Sequence, residues 1–452
     1  MDSRFQQPDL NRFQQGGTVA PFDPLAVKTF ALIGVLLLGS FALLFAPPVG
    51  FRTHAWWVMV VCSVGLTLAF IALLIKQRSA AQKVRIEMNA RRTHFVQAIA
   101  QSSIYFFVGS YWGGEAQWAP FVIYQLIVAF VFDFLLSVYR HNTWKLGFSI
   151  FPIVLSINLF MWFKPEYFVA QMAMVFIGIL GKAYVLRSVE GRPPHHIFNP
   201  SAFPMALTAV LIVIMMNGEY MLNTSNVVTS YLLPPHFQLF VFSVGMLSHL
   251  ASGVSFVSMG AVTTLFVIDR LFLAFTGLPP MGDIVQPSVF VGITLLVTDP
   301  VTSPKTRSGQ LIYGCLYGVG IVIGYVLLNH FGYPRYYDKI LPVPIVNYLA
   351  PYLDRIKLPF RNFLNGRTLA PNWVPALIYA MVFLPMVPAI ERAFLRRAWF
   401  IENDRRTAAA RNAPSEVQRV DPELRVLVQQ RIVQRCQEDP TLDACRLVRR
   451  RA

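Results

Sequence analysis

The chain has 452 residues, of which 55% are hydrophobic and 14% charged, with a mean hydropathy of +0.50. Such a composition excludes an ordinary soluble enzyme and predicts an all-α polytopic membrane protein. The formal net charge of +16 lies largely in linkers and a basic tail, as suits loops facing the cytoplasm and anionic lipid, and it carries no nucleic-acid signal.

Taken in order, residues 1–26 form a polar arm, and apolar runs follow at 28–46 and 55–75. The linker from Lys76 to Arg92 also holds Arg78, Lys83, Arg85 and Arg91. This basic block places the linker, and with it the N-terminus, in the cytoplasm, where an amphipathic surface helix fits equally well. Further spans are expected at 95–111, 119–139, 146–163 and 166–186. Then comes SVEGRPPHHIFNPSAFPMALTAV, residues 188–210, in which Asn199-Pro200 breaks the chain and starts a helix. Pro suits a first helical turn and Asn can cap it.

Beyond a polar loop at 218–235, spans are expected at 236–250 and 255–276, with a Gly/Pro-rich turn at 277–287. The organising stretch is VGITLLVTDPVTSPKTRSGQLIYG, Val291 to Gly314. A helix cannot run through Pro300 and Pro304 without losing backbone hydrogen bonds. Thr298, Asp299, Thr302 and Ser303 stand where a buried helix would carry Leu or Val. In lipid, broken backbone must be met by protein, water or a ligand, and two such breaks in one chain point to a duplicated fold with a central site. An ordinary loop with a polar helix cap is the competing explanation.

Leu311 to Leu328 is the next span. Leu341 to Leu353 contains Pro342, Pro344 and Pro351 and reads as either a kinked span or a re-entrant piece. A basic link precedes the last span, near 373–390, and an Arg-rich soluble tail from Arg392 holds a helix from Asp421 to about Gln437. Cys436 and Cys445 in that tail are expected as reduced cytoplasmic thiols, with a disulfide as the alternative were the tail outside. Cys62 and Cys315 read as packing residues, and no Cys/His group has the spacing of a zinc or iron–sulfur site.

Several ionisable residues fall within apolar runs, where they are costly and usually paired or functional. Asp133 is the candidate ion-path residue, with Arg140 seven positions on as a structural partner in the simpler reading. Lys182 ends the run 166–186 and snorkels in the simpler reading. His249 and Asp269 suggest a proton relay or, more simply, satisfied packing.

The order of motifs resembles the membrane-subunit family that includes NqrB of the sodium-pumping NADH:quinone reductase and RnfD of the Rnf electron-transport complex. The resemblance rests on Gly181-Lys182, His196 to Phe203, Leu296 to Ser303, Gly309 to Gly314, Gly332-Tyr333-Pro334, Asn347 and Pro351 to Asp354. It covers residues 119–354, leaving 1–118 as an N-terminal extension with two or three helices, 355–391 as a linker and last helix, and 392–452 as the tail. It implies a core of about ten helices built as a duplication, with broken or re-entrant helices meeting at the centre. It implies flavin binding and electron transfer to or from quinone, coupled in relatives to sodium or proton movement, with other redox subunits and the lipid bilayer as partners.

The resemblance also implies a bacterial inner-membrane location. Asp133 falls where relatives carry an acidic residue, typically Glu, linked with cation uptake. The family's Gly-Ala-Thr motif for covalent FMN has no counterpart between Asn199 and Asp299. The expected cofactor is therefore a non-covalent flavin (FMN or riboflavin) or a quinone. Asn199, Pro200, Ser201, Thr298, Asp299, Pro300, Thr302 and Lys182 are the candidate cofactor-binding residues, because helix N-termini suit a phosphate or a reduced flavin anion. A small-solute transporter or channel and a cofactor-free scaffold are the alternative functions.

Overall fold

The computed structural model describes residues 24–50, 53–79, 84–88, 91–111, 118–161, 167–189, 192–215, 237–276, 287–333, 335–356 and 371–390. The N-terminal arm, the loop 218–235, most of the basic link before the last span and the Arg-rich tail with Cys436 and Cys445 lie outside the described residues, wholly or nearly so.

The protein is an all-α polytopic membrane protein. Among the described residues, six helices are long and apolar enough to cross a bilayer. They lie in α1 (Pro24–Leu43), α2 (His54–Ser79), α4 (Ala119–His141), α9 (Ser255–Thr276), α11 (Arg307–His330) and α13 (Trp373–Phe383, continued to Ile390). At 1.5 Å per residue, the 20 residues of α1 extend about 30 Å, the thickness of a hydrocarbon core. Exposed Val35, Leu38, Phe45 and Val61 on α1, α2 and the turn between them are what a lipid-facing surface requires. The more polar α3 (Arg92–Tyr111) packs against α5 (Ile150–Met161) and α8 (Phe237–Ser252). The remaining helices are α6 (Phe168–Tyr184), α7 (Ala202–Met215), α10 (Pro287–Val291) and α12 (Pro342–Leu353).

Among the described residues, three of the expected spans come out as shorter apolar helices: α5, the 17-residue α6 and the 16-residue α8. The run 146–163 yields only the 12-residue α5, about 18 Å long and buried on every side, with only Phe151 partly exposed. A helix apolar all round belongs inside a bundle, and this one is too short to cross. The Pro-rich piece forms α12, also 12 residues, so it does not traverse the membrane. α10 passes into a wide π-helical turn, Gly292–Leu296, and this whole segment from Ser288 is buried. Gly292 lets it approach α11: a Cβ there would lie 2.9 Å from the Tyr317 hydroxyl.

The basic linker is not a continuous helix. Arg85–Met88 forms β1, paired in parallel with β2 (Thr143–Leu146) in the register Ile86 to Trp144. A second pair, β3 (Leu186–Val189) with β4 (Arg192–His196), is antiparallel and leads into the first break.

Two apolar clusters fill the interior. One joins α1, α2 and α4 around Tyr124, Phe134 and Trp144. The other runs from Ile104 and Val108 of α3 through α5 to α13, so α3 belongs to the central body even though it precedes the stretch bearing the family motifs. Within that body α9 and α11 lie backbone to backbone. Gly314 and Gly318 form a small-residue stripe, and a Cβ on Gly314 would fall 2.1 Å from the Val257 carbonyl oxygen.

Candidate functional site

Both Pro-containing breaks come to the centre of this body and are tied together. At the first, the Asn199 side chain caps α7: its Oδ1 accepts from Ser201 N at 2.9 Å, Ala202 N at 3.2 Å and Ser201 Oγ at 2.8 Å. Its Nδ2 donates to the carbonyl of Leu296, at the end of the π-helical turn, at 2.7 Å. Its backbone N–H donates to Oδ1 of Asn347 on α12 at 2.9 Å. Asn347 Nδ2 in turn donates to Thr302 Oγ1 at 3.2 Å and to the Tyr313 hydroxyl at 2.6 Å. Each member of this network is 5% exposed or less, so in lipid it satisfies backbone that Pro200 and Pro300 would otherwise leave open.

The second break is held from within and from α12. Asp299 Oδ1 accepts from Val301 N at 3.2 Å and Oδ2 from Thr302 Oγ1 at 3.0 Å, while Ser303 N donates to the Asp299 carbonyl. Thr298 Oγ1 bonds back to the Thr294 carbonyl, and Ser303 Oγ reaches the Val297 carbonyl. Asp354, just beyond α12, accepts from the backbone N–H of both Lys305 and Thr306, and Thr306 caps α11 through Gly309 N.

Above the two breaks lies a polar cavity of about 640 Å³. Its mouth carries exposed Arg91, His141 and Lys145, and its floor is Asn199, Ser201 and Asp299. Asp133 and Lys182 face each other in its wall at 3.4 Å. Lys182 also donates to Ser149 Oγ at 2.8 Å, and Trp144 Nε1 donates to the second Asp133 oxygen at 3.2 Å. Arg140 is not the partner of Asp133. It donates to the Ala183 carbonyl and lies over the Tyr184 ring at 4.2 Å. The His196 imidazole stands 3.6 Å from Asp299 Oδ2, and His94 of α3 lines the same cavity.

Of the residues singled out from the sequence, Asp133, Lys182, Asn199, Pro200, Ser201 and Asp299 line one cavity. Thr298, Pro300 and Thr302 lie outside its wall, turned into the packing of the second break. His249 and Asp269 do not join it. His249 Nε2 meets the Thr294 carbonyl at 3.1 Å and Ser258 Oγ at 3.3 Å, and Asp269 pairs with its neighbour Arg270 at 3.6 Å.

Sequence reasoning passed over His94, Trp144 and Ser149, and it gave His196 and Asn347 no role. It also missed Asp338 and Lys339, a pair 3.3 Å apart and almost fully buried, where Lys339 reaches Ser288 Oγ at the start of α10. Two adjacent charges buried in the protein interior were a signal that length and hydropathy alone had hidden.

The fit of a flavin phosphate to the breaks can be tested directly. The N–H groups that open α7 are already taken by Asn199, and Val301 N by Asp299. The helix-start donors are thus spent, and the break residues do not make a phosphate cradle. The polar cavity above them has a volume in the range of small-molecule sites.

Comparison with known proteins finds similarity over the part of the chain that holds the second break. Residues 238–361 match the model of the NQR2, RnfD, RnfE family. A curated relative, the D component of the ion-translocating oxidoreductase complex of Methanosarcina acetivorans, is 25% identical over 95 residues, which cover 21% of this chain and 31% of the relative. No solved structure matches. The matched segment holds α9 to α12, the second break, Asn347 and Asp354, the parts that close the cavity floor from one side. Over residues 238–361, this membrane protein is similar to the NQR2, RnfD, RnfE family, and it spans about a third of the length of the curated relative it matches.

Proposed function

We propose that the chain is a membrane subunit of an ion-translocating electron-transfer complex in the cell inner membrane, working with other redox subunits and with its N-terminus and Arg-rich tail in the cytoplasm. The observation that carries this reading is the position of the family-matched break. It forms the floor of a polar cavity whose wall holds an Asp133–Lys182 ion pair. Ionisable side chains at that depth are retained for ion or proton movement more often than for stability. The cavity mouth lies on the face that bears Arg91, Arg140 and Lys145, the face the positive-inside rule assigns to the cytoplasm.

The electron-transfer side of the reading, a non-covalently held flavin or a quinone, rests on the family resemblance. A bound flavin or quinone would supply the electron-carrying chemistry. The protein's own residues line a cavity of suitable size and keep the apolar interior below it closed. The test is an absorbance and fluorescence spectrum of the detergent-purified protein before and after acid precipitation. Flavin in the supernatant is the expected result. Flavin retained in the pellet would show covalent attachment. The absence of both flavin and extractable quinone would remove the redox part of the proposal.

A further inference from the structure

We propose that the cavity delivers protons rather than metal cations to the second break, and that His196 and Asp299 are the pair that receives them. The inference deepens the ion-coupled reading above and rests on it.

Carboxylates alone would not distinguish the two kinds of ion. Their partners do. A dehydrated metal cation needs several oxygen lone pairs aimed at one point. In this cavity those lone pairs are turned toward N–H and O–H groups. Asp133 faces Lys182 and Trp144 through its two oxygens. Asp299 accepts from Val301 N and Thr302 Oγ1, with the His196 imidazole 3.6 Å away. The floor oxygen of Asn199 takes three donors from the start of α7. Beside Asp133, the Lys182 ammonium already stands where a cation would sit.

A proton needs one lone pair and a short path, and the cavity offers imidazoles along that path. His94 of α3 and His196 of β4 both line it, each with a ring nitrogen able to take or give a proton. The charged and titratable groups facing the pair come from every surrounding element. Arg91 and His94 lie at the start of α3, Asp133, Arg140 and His141 on α4, and Lys182 on α6, with His195 beside the pair itself; Tyr313 of α11 interacts with Asp299, and Lys305 holds the Pro300 and Val301 carbonyls. Glu87 and Lys145 stand farther out, on β1 and β2.

The step balances simply. Water in the cavity, as hydronium, gives a proton to the His196 imidazole. The imidazolium then passes its Nε2 proton to Asp299 Oδ2, leaving neutral imidazole and neutral carboxyl, with one positive charge moved inward. The consequence reaches the closed network below through Thr302. Its hydroxyl donates to Asp299 Oδ2 and accepts from Asn347 Nδ2, the residue that holds Asn199. Neutralising Asp299 weakens the first of these bonds, because a charge-assisted hydrogen bond is about twice as strong as a neutral one. Proton uptake therefore loosens the tie between the two breaks.

The test is carbodiimide modification of the full-length purified chain, read at Asp299 by peptide mass spectrometry across a pH series in sodium or potassium salt at equal ionic strength. Carbodiimide reacts with the protonated carboxyl. The expected result is labelling that rises several-fold as pH falls and is the same in both salts. His196→Gln should move the profile to higher pH, since losing the neighbouring imidazolium favours the protonated carboxyl. Protection of Asp299 by sodium but not potassium would overturn the proton assignment while leaving the ion-coupled reading intact. An unlabelled Asp299 alongside a reactive Glu87, or a profile unmoved by His196→Gln, would overturn the pair as the receiving group. The sodium–potassium comparison needs no variant, so it stands even if His196→Gln does not fold. Labelling needs no electron flow, so these outcomes are separate from the presence or absence of a bound flavin or quinone.

Discussion

Asn199 and Asn347, 148 residues apart, meet through a 2.9 Å hydrogen bond from the backbone N–H of one to the side-chain oxygen of the other. Around that contact the two breaks become one buried unit, since Asn347 also holds Thr302 and Tyr313 while Asn199 holds Leu296. Replacing Asn347 by Ala removes all three of its bonds and leaves the Asn199 N–H buried without an acceptor. Each orphaned group costs about 1–3 kcal/mol. Thermal unfolding in detergent should show a clear drop in midpoint, larger than for Tyr313→Phe, which removes one of those three bonds and a longer one to the Val297 carbonyl.

Glycines that face backbone at the breaks should not tolerate even a methyl group. A Cβ at Gly178 would lie 2.3 Å from the Pro200 carbonyl oxygen, which is part of the rigid turn before α7. Overpacking of this kind costs about 1–3 kcal/mol. Gly34→Ala and Gly65→Ala serve as controls, because nothing lies within 4 Å of either position. Those helix-interior changes should be neutral or should stabilise by up to about 1 kcal/mol. Equal effects at Gly178 and Gly34 in a thermal-shift series would contradict the close approach of α6 to the first break.

The Asp133–Lys182 pair predicts non-additive substitutions. Asp133→Asn and Lys182→Met each leave a partner in a partly enclosed wall, while the double variant leaves neither. Contacting charges in one network show coupling of about 0.5–3 kcal/mol. A double-mutant cycle on thermal stability should therefore find the double variant less damaged than the sum of the singles. Substituting Arg140 with Met should show no coupling to Asp133, since Arg140 is bound to Ala183 and Tyr184 instead.

A stronger version applies at Asp338 and Lys339, whose side chains are each 1% exposed. Removing one member of a buried pair costs about 3–5 kcal/mol, whereas replacing both by apolar groups is often neutral. Lys339→Met alone should impair folding yield in membranes. Asp338→Leu with Lys339→Met should restore much of it, as judged by the fraction of monodisperse protein on size-exclusion chromatography. No recovery would mean that the pair serves more than each other.

The membrane class, the long spans and the positions of both breaks were legible in the chain because each is a local property. Runs of apolar residues report a bilayer directly, and Pro300 or Pro200 interrupts a helix whatever surrounds it. Asn199 as a helix cap was readable for the same reason. Only the tertiary structure decided which partners the charged and polar residues take. Spacing along one helix favoured Arg140 for Asp133, yet the packing of α6 beside α4 supplies Lys182. His196 reaches Asp299 across more than a hundred residues, and Asn347 had no local reason to be more than a helix residue. The shortness of α5 was hidden because a fully buried helix and a membrane span look alike in hydropathy. Within lipid every buried polar group needs a partner, but the requirement does not name one, and the choice falls to whichever helices close packing brings into reach.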